Sequence, residues 1–141
     1  MTTNGETARV LVIPCSGIGK VHGLISREAT YEITDNLAQA NADTMCLALL
    51  VMGDEEALSK IRSSHCITID GCPKYCAQKN VELAGGQVAE SIMVAEAFKN
   101  HRGAQPGTAT KLTEDGWLVV REIAEGLSDR VQDLCGCEGE H

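Results

Sequence analysis

Aromatic side chains are nearly missing from this chain, whose 141 residues include one Phe, one Trp and two Tyr. Whatever core it forms must be packed with Val, Ile, Leu and Ala, which the 43% apolar content supplies in quantity. Long apolar runs are missing too. The run Cys46–Met52, for example, falls far short of the roughly 20 residues that span a bilayer as a helix. Nor is there a basic excess: the net charge is −8 and the pI near 4.9. A nucleic-acid partner, whose counterions must be displaced by a cationic face, is therefore not expected. Met1 to Ala8 is polar and lacks the charged-then-apolar layout of a signal peptide, and no lipidation signal stands out. These absences lead to the expectation of a cytoplasmic protein with no membrane partner.

What the chain has is sulfur. Seven cysteines is an odd number, and a reducing compartment disfavours a disulfide framework, so metal ligation or thiol chemistry is the better reading. The length suits a single domain over residues 1–141, with 1–8 and 135–141 expected to be flexible tails.

Apolar and polar segments alternate in a regular way. Arg9–Cys15 is a β-branched run that stops at Pro14-Cys15-Ser16-Gly17, as a buried parallel strand would. Ile25, Ala29, Ile33 and Leu37 predict a helix over about Leu24–Gln39, and Thr44–Leu50 reads as a second strand. A short helix is expected over Asp54–Arg62, a third strand over Cys66–Asp70, and a helix from Pro73 to about Leu83 that Gly85-Gly86 ends. Val88–Val94 is a fourth strand, and Val120, Ile123, Leu127, Val131 and Leu134 mark a final amphipathic helix. The fold class is α/β: a small doubly wound sheet of about four mainly parallel strands flanked by helices, Rossmann-like or flavodoxin-like, with a C-terminal helix. In such folds ligands bind beyond the carboxyl ends of the strands, where Cys15 and Cys72 both fall.

The loop from Pro14 to Gly23 fails each specific phosphate-binding pattern. A Walker A loop needs glycine at Pro14 and a hydroxyl residue at Val21, and a dinucleotide fingerprint needs glycine at His22. A Cys-x5-Arg phosphatase loop needs arginine at Val21. What survives is a turn that brings Cys15 towards a helix N-terminus and Lys20, an environment that favours a thiolate. Anion binding in the Gly17–Gly23 loop could coexist with any thiol role. Asp70-Gly71-Cys72 repeats the strand-to-helix arrangement, and Cys76, four residues on, would share one helical face with Cys72. Cys46 reaches the same sheet edge if its strand is short and is buried mid-sheet if it is long. Cys66, at the opposite edge, reads as structural. Cys135, Cys137 and His141 form at most a secondary clamp or a resolving thiol.

Pro14-Cys15-Ser16-Gly17, Met45-Cys46-Leu47-Ala48 and Asp70-Gly71-Cys72-Pro73 followed by Cys76-Ala77 resemble, in order, the signature of the DGC-domain family of zinc-binding proteins. The resemblance covers about residues 9–100. It implies four metal-chelating cysteines, Cys15, Cys46, Cys72 and Cys76, and so places Cys46 in the site; Cys135 and Cys137 stand outside the pattern. The leading expectation is one Zn²⁺ in a closed four-thiolate shell, its charge offset by helix N-termini, Lys20 and Lys74. Two rivals use the same sulfurs: thiol-redox or persulfide chemistry on Cys15, Cys72 and Cys76 with a protein or small thiol partner, and an iron–sulfur cluster.

Overall fold

In a computed structural model that describes residues 10–15, 19–71 and 74–135, four strands form one all-parallel sheet. They are β1 (Val10–Pro14), β2 (Ala42–Asp43), β3 (His65–Asp70) and β4 (Gln87–Met93), in the spatial order β2-β1-β3-β4. Val10 lies beside His65 and Pro14 beside Ile69, so the two central strands reach the carboxyl edge together. The helices are α1 (Val21–Glu32), α2 (Leu47–Val51), α3 (Glu55–Arg62), α4 (Cys76–Leu83), α5 (Val94–Ala97) and α6 (Glu114–Cys135). A π-helical turn, Ile33–Leu37, prolongs α1.

Strand side chains alternate between two cores, as the pleat requires. Val10, Val12, Ile67 and Ile69 pack against Ile25 and Ala29 of α1 and against Val120, Ala124 and Leu127 of α6. On the opposite face Leu11, Ile13 and Cys66 meet Leu50 of α2, Ala57 and Ile61 of α3, and Ala77 and Val81 of α4. The fold is thus the expected helix–sheet–helix sandwich of an α/β protein. Its largest fully buried side chains are all Leu, Ile and Val, as the shortage of aromatics demands.

Two local expectations are overturned. The run from Thr44 to Leu50 is not a strand: β2 is only Ala42–Asp43, and Leu47–Val51 is helical with Cys46 as its N-cap. A short apolar run has no periodicity to separate buried strand from buried helix, and Leu-Ala-Leu-Leu favours the helix. The second correction concerns α4, which starts at Cys76 and not at Pro73. The first turn is delayed because Tyr75, the residue before it, sits in the left-handed region at φ 54°. Cys72 and Pro73 themselves lie outside the described residues.

Elsewhere the signals hold. Asp54 caps α3 by accepting from the Ala57 N–H at 3.0 Å. Gly85, at φ 91°, follows the end of α4 where a left-handed residue is wanted. Ile67, with no exposed surface, sits in the central strand β3 within the first core. Ile67→Ala is expected to lower stability by about 2–5 kcal/mol in urea unfolding, the range for a deleted side chain in a core that cannot collapse around it.

Candidate thiol and metal site

The chain leaves β1 for β2 through α1, on one face of the sheet. It leaves β3 for β4 through α4, on the other face. The boundary between β1 and β3 is therefore the topological switch point, where a crevice opens at the carboxyl edge. Cys15 occupies that point. Its N–H continues the β1–β3 ladder to the Ile69 carbonyl at 2.9 Å. Its half-buried Sγ accepts from the Gly71 N–H at 3.2 Å and stands 3.6 Å from Ser26 Oγ. The Ser26 hydroxyl donates to the Gly23 carbonyl at 2.7 Å, so it meets a protonated thiol as an acceptor. The N–H at Gly71 is the interaction that survives, and strengthens, when the sulfur is ionised.

Each residue of Asp70-Gly71 has a definable task. Asp70 is 1% exposed, and its carboxylate accepts from the N–H groups of Ala77 at 2.7 Å and Gln78 at 3.2 Å. It caps α4 from the end of a strand, seven residues away, in place of Tyr75, whose side chain makes no capping bond. Burial pushes this carboxyl above its ordinary range, while the two backbone N–H bonds pull it back. At Gly71 a Cβ would lie 3.1 Å from the carbonyl carbon and Cβ of His22 and 3.2 Å from the Gly23 nitrogen. Any larger residue would press the first turn of α1 outward by a few tenths of an ångström.

His22 enters the site unannounced; in the sequence it registers only as the residue that spoils a glycine fingerprint. Its ring packs edge-on against Phe98, centroids 5.2 Å apart. Burial, with the charge of Lys20 acting in the same direction, holds its pKa below the usual value. A neutral imidazole thus stands beside the end of β3 at neutral pH.

The sequence-predicted cysteines fall into distinct environments. Cys46, exposed at the N-cap of α2, lines the same cavity of about 770 Å³ as Cys15. Cys76 is exposed and opens α4, which packs against α2, but it does not line that cavity. Among the described residues no three His, Cys, Asp or Glu side chains are grouped so as to hold a metal ion. Cys72 lies outside those residues. Cys66 is fully buried within the second core, and burial pushes its thiol up to about 11. Cys135, the last residue of α6, is disulfide-bonded; Cys137 and His141 lie outside the described residues, as do residues 16–18 of the expected anion loop. No helix among the described residues is long and apolar enough to cross a membrane.

Fold and edge together define an α/β protein with Cys15 at its switch point and Cys46 on the same cavity as Cys15. The chain belongs to the DGC-domain family, whose model matches residues 11–115 and so spans β1, the Asp70-Gly71-Cys72 turn and the start of α6. No curated protein and no solved structure matches it.

Two outcomes follow from this geometry. Asp70→Ala strips a buried helix end of its cap and is expected to cost about 1–2 kcal/mol, read as a lower urea midpoint. For Cys66 the folded thiol, near 11, lies above the ordinary 9.0. Its neutral form is favoured by folding, so this contribution is intact below pH 9.0 and is lost as pH climbs towards 11. Urea midpoints measured across that alkaline range should fall less steeply for Cys66→Ala than for the wild type.

Proposed function

We propose that this protein binds one zinc ion at the carboxyl edge of its sheet through Cys15, Cys46, Cys72 and Cys76. The observation that carries the reading is that Cys15 and Cys46, far apart in sequence, line one cavity beyond the carboxyl end of β1. Cys76 opens a helix packed on the one that Cys46 caps. Membership of the DGC-domain family supports the same set. The donors suit zinc in kind: they are thiols, soft and anionic when bound, and a backbone N–H already points at the Cys15 sulfur. Zinc would supply a closed, tetrahedral cross-link rather than an open Lewis-acid position.

The chain's own residues then have clear parts. Gly71 steadies the Cys15 sulfur, Asp70 fixes the start of α4 and hence Cys76, and the Cys46 N-cap position aims that thiol away from the core. Protein purified under reducing conditions should carry about one equivalent of zinc by elemental analysis. Cys15→Ser, Cys46→Ser and Cys76→Ser should each lose most of it. Folded wild-type protein that takes up no zinc would overturn the reading.

A second reading is favoured by the same Gly71 contact. A half-buried thiol that accepts a backbone N–H and faces a cavity is suited to thiolate chemistry, in which Cys15 attacks a disulfide and releases the leaving thiolate. Alkylation separates the two. Rapid modification of Cys15, indifferent to a chelator, supports thiol exchange. Modification that stays slow until a chelator is added supports zinc.

A further inference from the structure

The cavity that joins Cys15 to Cys46 is lined by two further sulfurs. Met45 precedes Cys46, and Met52 follows the end of α2. The chain holds only four methionines, and two of them meet here. The wall near α2 is completed by Leu47, Ala48 and Val51, and Arg27 and Tyr31 of α1 line the same cavity. Met45 is partly buried against the second core, whereas Met52 is 72% exposed and stands where an entering ligand would meet it first.

We infer that this cavity takes a soft monovalent cation, Cu(I), on the Cys15 and Cys46 thiolates and the Met45 and Met52 thioethers. The inference rests on the reading that Cys15 and Cys46 are metal ligands, and it departs from that reading in the remaining donors. Thioethers are poor partners for zinc, which favours thiolate and imidazole, but they belong with thiolates among the ligands that select Cu(I). They also have no proton to lose and add no charge. Two thiolates on a single positive charge leave only one negative charge in excess, against two for a four-thiolate zinc site, and Arg27 lines the cavity where that charge would lie. A d¹⁰ ion of this softness accepts from two to four sulfur donors. It can use the pair of thiols that line this cavity without drawing on Cys72 or Cys76.

If Met45 and Met52 served only as apolar wall, leucine would replace them with little loss, since Leu and Met exchange readily in packed sites. That makes Met45→Leu/Met52→Leu the decisive variant. Reduced full-length proteins would be titrated with Cu(I) under anaerobic conditions against a chromophoric Cu(I) chelator, with zinc content measured in parallel and circular dichroism confirming the fold. The methionine variant is expected to lose about tenfold or more in Cu(I) affinity while its zinc content stays at the wild-type level. Cys72→Ser/Cys76→Ser should lose zinc yet keep Cu(I) binding. Cys15→Ser/Cys46→Ser should lose both.

Unchanged Cu(I) affinity in the methionine variant overturns the inference, as does loss of Cu(I) binding in Cys72→Ser/Cys76→Ser. Wild-type protein that takes up no zinc, but whose Cu(I) affinity still depends on both methionines, would remove the zinc reading and leave this one standing. Cu(I) binding that survives in Cys15→Ser/Cys46→Ser would defeat the premise shared by the two.

Discussion

At the end of β3 the backbone of α1 comes so near that a single added carbon on Gly71 would sit 3.1 Å from His22. That approach goes with a register of β1 and β3 in which Pro14 lies beside Ile69 and Cys15 falls level with the end of its neighbour. The register is in turn held by side chains that are buried on both faces of the two strands. A slip of one residue would exchange the two faces of a strand. Asp70 would then leave the N-terminus of α4 and face α1, a carboxylate without its N–H partners. The thiol contact at Gly71, the cap on α4 and the packing of α1 are therefore one arrangement and not three.

The division of labour between the two faces follows from the same pairing. The face under α1 and α6 is apolar almost throughout and carries the larger share of the core. The face under α2, α3 and α4 includes Cys66, Thr68 and Asp70 along β3, and its covering helices are short. Short helices bring their N-termini to the carboxyl edge at small cost in chain length. Two of those N-terminal positions are occupied by cysteine, Cys46 at a cap and Cys76 at a first turn. The long helix α6 packs on the opposite face of the sheet.

Much of this was legible from residue order. β1, β3 and α6 announce themselves because each is long and regular for its type: an unbroken β-branched run, a second such run closed by Asp-Gly, and apolar residues at helical spacing. The placement of Cys15 at a strand end and of Cys66 inside a core followed from those elements. The segment around Cys46 was not legible, since five residues of α2 make barely more than one turn and show no helical period. The start of α4 was hidden for a different reason. Pro73 is a good first-turn residue, but the left-handed Tyr75 postpones the helix and the cap comes from Asp70, further back than local capping rules look. Ser26, His22 and the methionines of the cavity carry no spacing signal at all. Their roles arise from where α1 and α2 lie, which is tertiary information.

Because Asp70 holds the first turn of α4, the end of β3 and the start of that helix are clasped to each other directly. The helix start therefore rests on a contact made outside the connecting loop. Substitutions within the loop can then alter which sulfurs or other donors are presented while α4 and the second core stay in place. The same sheet edge can thus be refitted with new chemistry by changes to a few positions, with the fold itself insulated from the experiment.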